Sequence, residues 1–238
     1  VARAAFGESE AAMVQLLAAA GYRVERRDDP PCCGALARHA GEADLARRLA
    51  CGFFQDDDGA DGIWVPTAAG CGAHLKDLAG MFPPGEGQDR ARELAPRVRD
   101  LSEALLEGPR PLPLRRRPRR VLFQDPCHLR HGQGLSEGPR RLLRQTGAEL
   151  VEPNEADLCC GSAGTYNLFQ ADLAFRIGRR KAGVLLATGA RCIVTANPGC
   201  HLQVEAHVRG SEVEVVSLAR FLAAHLPPLP GEVGQVII

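Results

Sequence analysis

The chain has 238 residues, 45% hydrophobic and 24% charged, a composition that excludes a disordered chain and leaves room for one large domain or two of roughly 120 residues each. Its 29 basic and 29 acidic residues cancel, so the overall balance lacks the positive field that a generic nucleic-acid binder needs. Ala11 to Ala20, the best candidate for a membrane span, holds Gln15 and stops at Gly21, short of the roughly 18 apolar residues a spanning helix requires.

In chain order, an amphipathic pattern is already under way at Val1 and leads to a β-rich run at Tyr22 to Glu25 and the tripeptide Cys32-Cys33-Gly34. A second β-rich run, Gly62 to Pro66, precedes Gly70-Cys71. Gly108 to Arg120 carries four prolines and six arginines, which prevent regular structure and keep the segment in water, as an interdomain linker would be. Beyond it come the runs Val121 to Gln124, Leu150 to Glu152, Cys192 to Thr195 and Val213 to Val216. Between the second and third of these, Leu168, Ala171, Phe175, Gly178, Ala182 and Leu185 step by three and four, predicting one apolar helical stripe. Strands separated by helix-length segments need crossover connections, hence a mainly parallel sheet.

The strongest organisational signal is a repeat. Cys-Cys-Gly recurs as Cys159-Cys160-Gly161, and the flanks follow: Leu16-Leu17 with Gly21 matches Leu142-Leu143 with Gly147, Ala43-Asp44-Leu45-Ala46 matches Ala171-Asp172-Leu173-Ala174, and Gly70-Cys71 matches Gly199-Cys200. The expected architecture is therefore α/β, two tandem cysteine-rich units, each a small mainly parallel sheet flanked by helices. Their boundaries are 1–108, a linker at 109–120, and 121–238.

Nine cysteines spaced too widely for a small disulfide scaffold point to metal or redox chemistry in a reducing compartment. In the second unit the repeat selects Cys127, Cys159, Cys160 and Cys200, and four thiolates suit either a cubane iron-sulfur cluster or a closed zinc site. Successive side chains diverge, so the adjacent pair favours the larger cluster. Cys127 and Cys200 follow strands and should sit at strand ends, where ligands converge in an open parallel sheet. Gly161, Gly164 and Gly199 would let backbone N–H groups approach the sulfurs, the alternative being ordinary turn glycines. The first unit offers Cys32, Cys33 and Cys71. The matching position for a fourth thiolate falls just before Val1, which raises the expectation of a truncated chain; otherwise this site has three thiolates or is vacant. Cys51 and Cys192 have no repeat counterparts and are expected to be structural. His128 and His201 adjoin ligand candidates, with His39 and His74 in comparable places; each is either a partner of the thiols or an ordinary turn histidine.

These residues resemble the cysteine-rich CCG domains shared by heterodisulfide reductase subunits, the anaerobic glycerol-3-phosphate dehydrogenase C subunit, lactate-utilisation iron-sulfur proteins and glycolate oxidase iron-sulfur subunits. The stretches from Gln124 to Gly134, Cys159 to Leu168 and Asn197 to Cys200 look most like the last of these. The resemblance covers essentially the whole chain and is more specific in the second unit. It implies a non-catalytic electron-transfer subunit carrying an iron-sulfur cluster, of [4Fe-4S] type, with zinc an alternative at one site. Its partners would be flavoprotein subunits, which alone would hold FAD and would oxidise glycolate to glyoxylate. The implied location is cytoplasmic, with membrane association at the inner face only through the complex. Such proteins usually carry an upstream ferredoxin-like region, which again suggests truncation. Ala68 and Asn197 stand where some relatives have a further cysteine, so a five-cysteine noncubane cluster is not expected.

No G-x-G-x-x-G follows any strand, and Gly161-Ser162-Ala163-Gly164 lacks the spacing of a nucleophile elbow, which argues against an independent nicotinamide or flavin enzyme and against a serine hydrolase. The competing readings are a lactate-utilisation or heterodisulfide-reductase-like subunit and, in another class, a zinc-stabilised structural docking module.

Overall fold

The computed structural model describes residues 6–26, 31–56 and 62–228; Val1, where the missing thiolate was counted from, lies outside them. Helices α1 (Gly7–Ala19), α2 (Ala35–His39), α3 (Ala43–Asp56), α4 (Ala69–Lys76), α5 (Glu86–Leu94) and α6 (Leu101–Glu107) precede strand β1 (Arg120–Gln124). Then follow α7 (Cys127–Arg130), α8 (Glu137–Gln145), β2 (Glu149–Val151), α9 (Tyr166–Phe169), α10 (Ala171–Leu186), β3 (Cys192–Thr195), α11 (Pro198–Val208), β4 (Glu214–Ser217) and α12 (Leu218–Ala223).

All four strands come from the second half and form a parallel sheet in the order β2-β1-β3-β4, with Leu122 opposite Val151 on one side and Ile193 on the other. Strands β1 and β3 are central and therefore read as continuous apolar runs. Alternation along each strand then divides the core. Val121, Phe123, Cys192 and Val194 meet Leu16, Leu142, Leu143, Leu218 and Phe221 on one face. Leu122 and Ile193 meet Ala182, Leu185 and Val204 on the other. The strand order turns between β1 and β3, and that switch leaves a crevice at their carboxyl ends.

The first half builds a separate small core of Ala46, Ala50, Phe53, Leu75, Leu78, Met81 and Leu94. Its parallel pairing is reduced, among the described residues, to one bridge between Trp64 and Val98. The run Tyr22 to Glu25 is extended but joins no ladder; the Tyr22 hydroxyl donates instead to the Ala104 carbonyl at 2.9 Å. Helix α1 stands outside this small core and packs on α12 of the second half, with Ser9 Oγ 2.8 Å from Ser217 Oγ, as well as on Leu101, Ala104 and Leu105 of α6. The Pro/Arg segment forms no helix or ladder up to Arg119, and its last residue, Arg120, already belongs to β1 opposite Glu149; its backbone is tied at Arg110 to Ala20, at Arg115 to His225 and at Arg117 to Thr146, while Leu112 and Leu114 pack on the main core. Among the described residues no helix is long and apolar enough to cross a membrane.

The predicted stripe on α10 is corrected in part. The helical path breaks at Gln170 (φ −125°, ψ 52°), so Leu168 belongs to α9 and is 74% exposed; Phe175 is 57% exposed. The buried face is Ala174, Gly178, Lys181, Ala182 and Leu185, so the stripe holds at Gly178, Ala182 and Leu185, while Ala171 and Phe175 are exposed and Ala174 takes their place.

One buried ion pair ties the turn after β1 to its surroundings. Arg140 on α8 grips Asp125 with two parallel bonds of 2.8 and 2.7 Å and reaches Glu152 beyond β2 with bonds of 2.8 and 2.7 Å. The Asp125 side chain is 1% exposed, so removing the arginine would leave a buried carboxylate without its partner. Arg140→Met is expected to lower unfolding free energy by about 3–5 kcal/mol, measured by urea denaturation. Arg140 also holds the Glu152 carboxyl below the usual range, by hydrogen bonding and by charge. A depressed folded-state pKa contributes stability above the unfolded value and loses it as pH falls through the folded one. Glu152→Gln should therefore lower stability by a constant amount at neutral and alkaline pH and flatten the loss that sets in as pH falls below the ordinary carboxylate range.

Candidate metal centre

The second Cys-Cys-Gly lies in the loop between β2 and α9. Gly161 holds φ +89°, and a Cβ there would lie 2.6 Å from the Ala174 carbonyl oxygen on α10. The turn can seat on the helix only without a side chain. The first Cys-Cys-Gly repeats this detail: Gly34 has φ +82°, and its absent Cβ would lie 2.5 Å from the Ala46 carbonyl oxygen on α3. Ala46 and Ala174 are themselves matched by the sequence repeat, so the same seat was built twice.

Cys127 opens α7 just after β1, and Cys200 lies in the first turn of α11 just after β3. Both thiols thus flank the switch-point crevice, and the Cys159-Cys160 pair comes down onto them. Cys160 Sγ is 3.3 Å from Cys200 Sγ, and Cys159 shares thiol hydrogen bonding with both Cys127 and Cys160. Bonding to Cys127 and Cys160, helped by the Gly161 N–H and by Lys181, draws the Cys159 thiol down to about 2. Cys200 is lowered by its contact with Cys160, while Cys127 and Cys160, the donors in these pairs, are pushed up. Four sulfurs so placed cannot all become anionic without a cation among them, because like charges in contact oppose ionisation. The donors form a chain of pairs; among the described residues no three His, Cys, Asp or Glu side chains are grouped as ligands of one metal ion.

Of the three glycines expected at the thiols, Gly161 directs its N–H to a sulfur, Cys159 Sγ at 3.4 Å. Gly199 instead permits close packing, since a Cβ there would lie 2.8 Å from Ser162 Oγ, and Gly164 faces Leu36 of the first half. In the first half Cys33 and Cys71 are hydrogen-bonded, and Cys32, which is exposed, lies within electrostatic range of Cys71, so the fold pairs two of the three predicted thiols and leaves the third nearby. Cys192 is fully buried in β3, and burial pushes its thiol up to about 11. Cys51 is half-buried on α3. Neither belongs to the thiol groups.

The histidines divide. His128 Nδ1 is 3.7 Å from Cys127 Sγ, and its ring lies 5.3 Å from that of His39, so these two meet between the halves. His74 is buried, and burial with the charge of Arg38 brings its pKa to about 4. His201 packs edge-on against Phe6 and, with Thr195 and Ser217, lines a pocket of about 50 Å³ at the ends of β3 and β4; its electrostatic neighbours are Glu205 and Arg220, not thiols.

Two further residues serve the thiols. The Asn197 amide donates to Cys200 Sγ at 3.6 Å and accepts from the Gly70 N–H at 3.4 Å. It therefore links the helix entry beside Cys71 to that beside Cys200, where the sequence suggested only a missing cysteine. Lys181 is buried beneath the Cys159–Cys160 loop. Its only sequence signal was rarity: Lys76 and Lys181 are the two lysines among 29 basic residues.

A family model described as a cysteine-rich domain, CCG, matches residues 1–76 and 121–205. The chain belongs to this CCG cysteine-rich family. It is 37% identical over 226 residues to the "Probable glycolate oxidase iron-sulfur subunit" of Bacillus subtilis strain 168, covering 92% of this chain and 49% of that protein. The glycolate oxidase iron-sulfur subunit of Escherichia coli K12 is 33% identical over 220 residues, 89% of this chain and 54% of the relative. Lactate utilization protein A of Geobacillus kaustophilus is 28% identical over 222 residues, 90% of this chain and 91% of the relative. The chain thus spans about half the length of the two glycolate oxidase relatives. The CCG match falls in two segments that contain the two Cys-Cys-Gly turns, in keeping with tandem units around a parallel sheet.

Each Cys-Cys-Gly glycine is expected to be irreplaceable. Gly161→Ala should cost more than about 1 kcal/mol, because alanine is strained at positive φ and its methyl would strike a backbone oxygen. Thermal unfolding measures this, and Gly183→Ala, on an exposed helical position with nothing within 4 Å, is the control that should not destabilise.

Proposed function

We propose that the chain is the iron-sulfur electron-transfer subunit of a flavin-dependent complex that oxidises glycolate to glyoxylate. The observation that carries the reading is the contiguous set Cys127, Cys159, Cys160 and Cys200 at the crevice of a parallel sheet, in a chain similar to proteins named for that role. The donor set fits an iron-sulfur cluster: four thiols linked pairwise in a chain need positive charge to ionise together, and Gly161 and Asn197 point N–H groups at their sulfurs. In the first unit Cys32, Cys33 and Cys71 would be the ligands. When bound, such a cluster stores and releases single electrons.

The protein's own residues do the rest. The seated glycine turn fixes the Cys159-Cys160 pair, the Arg140 clamp fixes the approach to Cys127, and burial of Cys160 and Cys200 keeps water from the inner sulfurs. Removal of a hydride from the α-carbon of a hydroxyacid needs a two-electron acceptor, so FAD and the oxidation step belong to flavoprotein partners. Leu168 and Phe169, 74% and 78% exposed on α9, lie seven and eight residues beyond Gly161, and Arg176 and Arg179 are exposed on the following helix, α10. Exposed apolar and basic side chains on these two consecutive helices support docking of that flavoprotein through an acidic-rimmed apolar surface. We assign the units to 1–108 and 121–238 with 109–120 as the strap between them, and place the complex in the cytoplasm, at the inner membrane face through its partners.

Anaerobic incubation with iron and sulfide should give a brown protein with an EPR signal after reduction. Cys200→Ala should lose iron and signal, while Cys51→Ala keeps both. A colourless protein that retains only zinc would favour the docking-module alternative. Glycolate-dependent dye reduction should require the flavoprotein and disappear with Cys160→Ala in the reassembled complex. Leu168→Ser with Phe169→Ser should weaken that assembly without changing iron content. Turnover of glycolate by the isolated chain would overturn the assignment. The lactate reading is favoured by the match along 91% of lactate utilization protein A, and turnover of lactate but not glycolate by the complex would establish it instead.

A further inference from the structure

Lys181 is 1% exposed, among the largest fully buried side chains of the protein. Its Nζ donates to the Ala156 carbonyl at 3.0 Å and lies 3.4 Å from that of Glu155. Those carbonyls belong to the stretch running into Cys159, so the ammonium sits under the loop that delivers the paired thiols. Charge couples it to Cys159, Cys160 and Cys200, and to Asp125 and Asp157. Asp125 is already engaged by Arg140 and Asp157 is exposed. Burial lowers the lysine's pKa while the thiols and carboxylates oppose that shift.

A buried ammonium is costly unless something negative repays it. Two carbonyl dipoles alone are a thin repayment, whereas three sulfurs that become thiolates on binding a cluster are an ample one. Lysine places a compact point charge there, where most other cations of this chain are arginines.

The repeat supplies an internal comparison. Ala174 and Ala46 carry the carbonyls on which the two Cys-Cys-Gly turns seat, and seven residues beyond each stand Lys181 and Phe53. Phe53 is buried against Trp64, ring centroids 5.4 Å apart. The matched place in the first unit therefore carries an apolar ring and no charge.

We propose that Lys181 is the fixed counter-charge of the second thiolate site, a positioning residue that makes an iron-sulfur cluster there easier to reduce and so sets the second site apart from the first. The proposal rests on the cluster reading given above. The physical basis is direct: reduction adds one negative charge, and a cation held close by stabilises the reduced form more than the oxidised one. The lysine neither transfers an electron nor ligates metal.

The test uses the full chain, reconstituted anaerobically with iron and sulfide, with metal and sulfide assays and an EPR-monitored redox titration of wild type, Lys181→Gln, Lys181→Met and Lys181→Arg. Gln keeps a hydrogen-bond donor for the loop and removes the charge. The expected result is wild-type iron content in Gln and Met and at least a tenfold fall in the equilibrium constant for reduction, about 59 mV downward for a one-electron couple. Arg should stay within threefold of wild type. Loss of iron in Gln with retention in Arg, at equal thermal stability, would support the counter-charge in a stronger form. Wild-type potential in a Gln variant with full iron would overturn the proposal, as would equal shifts, or equal losses of iron, in Gln and Arg, since charge would then not be the cause. Failure of the wild type to take up iron and sulfide would instead overturn the cluster reading, and this proposal with it.

Discussion

The arrangement of the thiols depends on a glycine turn pressed against a helix backbone. At Gly161 and again at Gly34 the chain adopts a positive φ, and the space a Cβ would occupy is filled by a carbonyl oxygen of α10 or α3. That contact sets the distance between loop and helix, and with it the place of the two preceding cysteines. In the second unit, the sheet supplies the other two thiols from the ends of β1 and β3, and α10, about two turns beyond its seat at Ala174, supplies Lys181. Loosening the seat would disperse groups drawn from four separate stretches of chain.

Duplication of the seat did not duplicate its support. The second unit has a four-stranded sheet covered on both faces, whereas the first shows, among the described residues, one parallel bridge and a small helical core. The first unit also lends α1 to cover the other unit's sheet, where Leu16 and Leu17 are sealed with Phe221 and Leu222. In return the Cys71 helix is braced by the second unit. Asn197 accepts from Gly70, and the His39 ring meets that of His128. The two thiol groups thus lie in separate cores that are joined by a hydrogen bond and a ring contact.

Charge in this chain is abundant but unequal in consequence. Most ion pairs, such as Arg191 with Glu212 and Arg144 with Glu137, have both side chains well exposed and contribute little to stability. Lys76 with Glu103 is largely shielded, and among the described residues the two most buried cations are Arg140, whose fork satisfies Asp125, and Lys181, which donates to the Ala156 carbonyl under the thiol loop. One serves the backbone that carries Cys127, and the other the electrostatics of the remaining thiols.

The sequence alone determined the tandem units, the strands β1 to β4 to within a residue or two, and every thiol that the fold gathers, because duplication and cysteine spacing are linear properties of the chain. It also showed that Cys192 would be a core residue, since a thiol inside an apolar run has nowhere else to go. Only the tertiary structure decided that Tyr22 to Glu25 would join no ladder, that α1 would cross to the other unit, and that Leu168 would lie outside the buried face of α10, because each depends on which surface another segment has already covered. The same holds for His201, which packs beside Phe6 rather than at the sulfur of its neighbour in sequence. Lys181 and Asn197 stayed silent for a related reason: a single lysine or asparagine has no periodicity, and its role is set by the carbonyls, sulfurs and N–H groups that folding brings to it from distant parts of the chain.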